Sequence, residues 1–167
     1  EEFANNVTGL LVGYKVPMQD LEKTFAALNS SIGKSIVTDQ EYLSGLNKIA
    51  PKAIQTGQSM QTLLGAMAAM TTDTKDAAGA FTNLENVLSK MFDKKYEEGL
   101  QKTFGTSFFD AQGNVKQLNV LIEELSAKMQ GLTKEEQVEK IGAVFKDAQA
   151  RDGILAMIAN LDKFKKA

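Results

Sequence analysis

Apolar residues recur three and four positions apart along most of this chain, a spacing that gathers them on one face of a helix. Ala77, Phe81, Leu84, Leu88 and Met91 form the most regular stripe, and Leu21, Phe25, Leu28 and Ile32 form another. Shorter runs follow the same period: Phe3, Val7, Leu10 and Leu11; Tyr42, Leu43, Leu46 and Ile49; Tyr96, Leu100 and Phe104. Later in the chain come Leu118, Leu121, Ile122, Leu125 and Met129, then Val138, Ile141 and Phe145, and last Ile154, Leu155, Ile158 and Leu161. The boundaries are marked as well. Thr38-Asp-Gln-Glu41 and Thr133-Lys-Glu-Glu136 are capping boxes, in which the Thr oxygen takes an orphan N–H and the Glu reaches back. Thr72 or Asp73 is expected to cap the helix that has Asp76 in its first turn. Gly33 is placed to stop its helix in the left-handed conformation, and Gly57, Gly105 and Gly131 end others. Pro17 suits the first turn of the second helix, whereas Pro51 should limit the third or open a short new turn.

Helical spacing fails over Ser107-Phe-Phe-Asp-Ala-Gln-Gly-Asn-Val-Lys116. Asp110-Ala-Gln-Gly113 has the residues of a type I turn closed by a left-handed glycine, which predicts a hairpin with a three-residue loop. Phe109 would face Val115 across it and Phe108 would face Lys116. A calcium loop starting at Asp110 fails on spacing, because its sixth position is Val115 and its twelfth Leu121, where Gly and Glu are needed. The expected fold is therefore all-α: one compact domain over residues 1–167, built of short antiparallel-packed helices, with one small β-hairpin near 107–116.

Composition then narrows the function. Nineteen basic and 21 acidic residues nearly cancel, so the footprint of a nucleic-acid binder is missing and no nucleic-acid specificity is expected. Lys163, Lys165 and Lys166 close the last helix, where cations offset its dipole. The chain holds no His and no Cys, which removes the commonest general base, metal ligand and thiol nucleophile. No catalytic residue, cofactor or metal is expected. A hydrolase using Glu123 or Glu124 with another carboxylate is the enzymatic alternative, but adjacent residues on a helix do not face each other. Residues Ala53 to Thr72 are uncharged and match a membrane span in length, about 20 residues. Gln55, Gln58 and Gln61 break the run, and a buried central helix over Met60 to Met70 is the preferred reading, with membrane contact possible but not favoured. The chain opens on Glu1-Glu2, and is expected to lack a signal peptide and to be a segment of something longer.

Read end to end, the landmarks resemble the conserved core of phage tail tape measure proteins. Lys48-Ile-Ala50-Pro51-Lys52 is similar to that family's Val/Ile-Ala-Pro element, and Thr56-Gly-Gln-Ser-Met60 to its Gly-x-Ser helix start. Phe109, Asp110, Gly113 and Asn114 resemble its aromatic-Asp-Ala-x-Gly-Asn turn, and Thr133 with Glu136 its Leu-Thr-x-x-Glu box. The likeness runs from about Met18 to Ala159 and departs at Thr71-Thr-Asp-Thr-Lys75, where the family carries a Gly-rich turn. It implies a long protein in the lumen of the tail tube, made in the host cytoplasm, which sets tail length. Implied partners are the tube protein, tail assembly chaperones and further copies of itself. A general helical interaction domain is the alternative, and a membrane-active segment a more remote one. A ruler must be long: as continuous helix the chain would span roughly 250 Å, against a radius of gyration of about 15 Å when compact. Hinges at Gly33, Pro51, Gly57, Gly105 and Gly131 would connect the two states.

Overall fold

The computed structural model describes residues 2–33, 37–72 and 76–165. Among them the chain forms ten α-helices and one 3-10 turn. In order these are α1 (Glu2–Gly13), the 3-10 turn Met18–Asp20, α2 (Leu21–Gly33), α3 (Asp39–Gln55), α4 (Met60–Thr71) and α5 (Ala77–Lys90). Then come α6 (Lys94–Phe104), α7 (Leu118–Lys128), α8 (Lys134–Val144), α9 (Ala148–Ala159) and α10 (Leu161–Lys165). The all-α expectation holds.

Everything is arranged about α4. Every residue from Thr62 to Thr71 is buried, because α2, α3, α5, α7, α9 and α10 all pack on this one helix. Small residues on it (Gly65, Ala66, Ala68 and Ala69) let neighbours come close, and Leu63, Leu64, Met67 and Met70 fill what remains. A polar pin fixes three of these helices together. The Ser31 hydroxyl of α2 donates to the Leu64 carbonyl at 2.8 Å and shares a hydrogen bond with the Tyr42 hydroxyl of α3. Burial pushes the Tyr42 phenol well above its usual range, an effect the Ser31 bond only partly opposes, so it stays a neutral donor. The 12-residue α4 is too short to cross a bilayer, and no helix among the described residues is long and apolar enough to do so.

The expected antiparallel packing is found only in places. Helices α3 and α5 lie side by side in the same sense: Tyr42 and Gly45 of α3 meet Phe81 of α5, while further along Lys52 and Thr56 lie by Leu88 and Phe92. The chain returns through α4 between them, and a returning helix sets its two flanking helices parallel. Helices α5 and α9 do run antiparallel, with Asn86 bonded to Gln149 and Gly153 seated on Val87 and Asn83.

The β-hairpin is not there. Phe109 and Val115 form one isolated antiparallel bridge, with no strand on either side. The tight turn itself forms as its residues require: Gly113 has φ +83°, and its N–H donates to the Asp110 carbonyl at 3.0 Å. What stops the ladder is competition for its donors. Phe108 N–H, which would pair with the Lys116 carbonyl, goes to the Glu97 carboxylate, and Leu118 N–H goes to Gln58 Oε1.

Other boundaries move for equally local reasons. Pro51 lies inside α3, which continues to Gln55. Ile49, Ala50 and Ala53 are all buried on it, and that packing outweighs the hydrogen bond a proline forfeits. Gly33 ends α2 without a left-handed φ, unlike Gly57, Gly105 and Gly131. Asp76 is the cap of α5, its carboxylate accepting from Gly79 N–H at 2.9 Å. Thr72 instead closes α4, and Asp73 lies outside the described residues. The last stripe divides at Asn160 into α9 and α10. Phe25 and Val138 were placed on apolar stripes yet are 41% and 38% exposed.

Candidate functional site

Four of the landmark residues, Phe109, Asp110, Gly113 and Asn114, meet in the turn between α6 and α7. Asp110 is occupied by the turn: its carboxylate accepts from the N–H groups of Gln112 and Asn114, each at 2.9 Å. The Asp110 N–H in turn donates to the Asn114 carbonyl at 2.8 Å. Phe109 packs edge-on to Phe92, their centroids 6.0 Å apart, and Phe92 lines a hollow with Lys52 and Thr56 at the end of α3. Ala50 is buried on α3 and Pro51 beside it is exposed. Thr133 and Glu136 lie apart from the turn and close a complete capping box on α8. Thr38 and Glu41 do the same on α3.

The turn is joined to α4 by a reciprocal pair of glutamines. Gln58 reaches across to accept from Leu118 N–H at 2.7 Å and to donate to the Lys116 carbonyl at 3.1 Å. Those two groups flank Gln117. Gln117 reaches back, accepting from Ser59 N–H at 2.9 Å and donating to the Gly57 carbonyl at 2.8 Å. Those flank Gln58. Each amide side chain thus serves as the neighbouring strand the other segment lacks. Thr62 adds a hydroxyl bond to Gln117 at 2.8 Å. Gln58 was read from the sequence only as a polar break in the uncharged run, and Gln117 was not singled out. A usable signal was present: Gln117 immediately precedes the apolar stripe of α7, and Gln is not among the preferred caps.

Two carboxylates hold the shoulders of the turn. Glu97 of α6 accepts from Phe108 N–H at 2.9 Å, from Gln101 at 2.9 Å and from the Ser107 hydroxyl. Glu124 of α7 accepts from Thr106 at 2.7 Å and pairs with Lys116 at 2.9 Å. Partial burial raises both carboxyls. The hydrogen bonds from Ser107, Phe108 and Gln101 on Glu97, and from Lys116 and Thr106 on Glu124, with the Lys116 charge near both, outweigh it and hold both below the usual carboxylate value.

These ties also bear on the enzymatic alternative. Glu123 pairs with Lys165 of α10 at 2.7 Å, and Glu124 turns to Lys116, so the two acids engage different parts of the fold. A concavity of about 700 Å³ between α3 and α5 is lined by Glu41, Lys48, Asp76 and Glu85 among others. Glu41 and Asp76 are both engaged in helix caps. Among the described residues no group of three or more acidic side chains is placed to hold a metal ion.

The sequence profile of the phage-related minor tail proteins matches residues 1–146. The chain belongs to that family. It is accordingly a structural protein of a phage tail, associated with the virion. The match covers α1 to α8, including the turn, both glutamines and both capping boxes. It starts ahead of Met18 and stops short of Ala159, so the limits of the likeness seen in the landmarks shift toward the N-terminus. Comparison with curated proteins and with solved structures returns no match.

Proposed function

We propose that this minor tail protein segment is part of a tape measure, lying in the lumen of the tail tube and contributing to tail length. The observation that carries the reading is the coincidence of family membership with the order of landmarks, from Ala50-Pro51 through the Phe109–Asn114 turn to the Thr133–Glu136 box. Supporting it is a build of short capped helices, three of whose joints are left-handed glycines: Gly57, Gly105 and Gly131. Pro51 lies inside α3 and drops out as a hinge, while Gly33 ends α2 without a left-handed φ. Opening at the glycine joints would convert packed helices into an axial string, at a cost of roughly 1.5–3 kcal/mol for each large apolar side chain exposed. Neighbouring copies, the tube protein or assembly chaperones would cover that surface. The role is scaffolding, not catalysis. The test is to remove or duplicate residues 133–145 in the phage gene and to measure tails by electron microscopy. Shorter tails on removal and longer ones on duplication are expected; tails of unchanged length in both cases overturn the reading.

A further inference from the structure

The joint between α3 and α4 turns on Gly57, whose φ is +74°. Its own backbone closes it locally: Gly57 N–H donates to the Ile54 carbonyl at 3.0 Å and Gln58 N–H to the Ala53 carbonyl at 2.9 Å. The glutamine pair then ties it to the distant α6–α7 turn. Gln58 is 3% exposed and Leu118 1% exposed, so the bond from Leu118 N–H to Gln58 Oε1 lies in the interior. Gln58 Nε2 also reaches the Thr56 carbonyl at 3.3 Å and Met91 Sδ at 3.9 Å, at the ends of α3 and α5. The Gln117 half lies nearer the surface, but its Oε1 also accepts from the buried Thr62 hydroxyl. An interior N–H left without its acceptor costs more than the bond itself contributes. Gln58 and Leu118 therefore part only when the surroundings of both open. The joint at Gly131 is built differently. Among the described residues its flanks bond locally: Gln130 N–H to the Ala127 carbonyl, Leu132 N–H to the Met129 carbonyl and Thr133 N–H to Glu136.

We propose that the Gln58–Gln117 pair is a latch that makes the Gly57 joint and the α6–α7 turn open as one unit. The joint between α3 and α4 cannot loosen until the turn lets go, and the turn cannot let go without freeing the joint. The coupling follows from what each amide holds. Loosening about Gly57 carries Gln58 away from the Lys116 carbonyl and the buried Leu118 N–H. Lifting the turn carries Gln117 away from the Gly57 carbonyl and from the N–H of Ser59, the N-cap of α4. Segments far apart in sequence thereby share one opening equilibrium. The Gly105 joint belongs to the same unit, because Glu97 holds Ser107 and Phe108 and Glu124 holds Thr106 just beyond it. Gly131 lies outside it. The latch divides the joints named above into coupled and independent ones, and it holds for the free chain whether or not the segment lies in a tail tube.

Native-state hydrogen exchange tests the coupling, each rate referred to its intrinsic value. In the parent chain, across low urea concentrations, Gln58 N–H and Leu118 N–H should show the same opening constant and the same urea dependence. Both should open more often than Leu88 N–H, which lies on buried α5 and reports global unfolding. Opening constants for Gln58 and Leu118 that differ by more than about tenfold overturn the latch. Opening of both only together with Leu88 also overturns it, since no separate unit would then exist. The variant Gln117→Ala removes the acceptor of Ser59 N–H but leaves those of Gln58 N–H and Leu118 N–H, the Ala53 carbonyl and Gln58 Oε1, in place. Gln58 and Leu118 should nevertheless exchange about tenfold or more faster, the scale of two net hydrogen bonds lost, while Leu132 N–H at the Gly131 joint is unchanged. Acceleration confined to Ser59 shows independent bonds and overturns the proposal, as does equal acceleration at Leu132.

Discussion

At the scale of single residues, the tightest constraint is the contact between α3 and α5. A Cβ on Gly45 would stand 1.8 Å from Cδ2 of Phe81, and Phe81 is itself wedged edge-on against Tyr42. Gly45→Ala should therefore lower unfolding stability by about 1–3 kcal/mol, the usual cost of overfilling a packed site. Gly33 is the control. It sits at the end of α2, and among the described residues no packing neighbour lies within 4 Å of an added Cβ, so Gly33→Ala should leave stability unchanged or raise it by up to about 1 kcal/mol through helix propensity. Urea denaturation of the two variants beside the parent checks both. Neither outcome is legible from the sequence, where Gly45 is an unmarked glycine on a helical stretch and Gly33 reads as a left-handed stop, a conformation it does not adopt. The stripe through Phe81 predicts that it is buried, but not that its ring lies over the backbone of another helix.

At the scale of elements, the capping boxes at Thr38 and Thr133 were fully legible, because a cap is settled by residues three apart and needs nothing from the rest of the fold. The turn was half legible. Its Asp and Gly specify the reversal locally. The extent of pairing was decided by Glu97 and Gln58, both of which come from other elements, so local rules overstated the β-structure. These carboxylate ties make the turn sensitive to acid. Glu97 and Glu124 have folded values held below the ordinary carboxylate value of 4.5, so their contribution to stability is present above that value and is lost as pH falls through the depressed one. Hydrogen exchange at Phe108 N–H, referred to the intrinsic rate at each pH, should lose protection below about pH 4.5. In Glu97→Gln that acid-dependent loss should be reduced, with protection already lower at neutral pH.

At the scale of the whole molecule, stripes gave the number of helices closely but not who neighbours whom. An apolar face states that a helix is covered and leaves open by what, which is why the parallel pairing of α3 with α5 and the outward turn of Phe25 and Val138 could not be read in advance. Burial is also unevenly shared. Helix α4 is enclosed on all sides, whereas α2 commits only Leu28 and Ser31 to the interior. Native-state hydrogen exchange should accordingly find amides of α4 opening only with global unfolding and those of α2 opening well before it. Equal protection of the two would show that the fold opens as a single unit.

Enclosure of α4 also has a consequence in time. The chain emerges from the ribosome N-terminus first, and part of the cover of α4 comes from α9 and α10, which end roughly ninety residues later, about 5–20 s at ordinary synthesis rates. For that interval an uncharged, water-averse helix stands without its lid, ready to stick to any other nascent chain in the same condition. Slower translation across the second half of this segment is therefore expected to lower the fraction recovered folded.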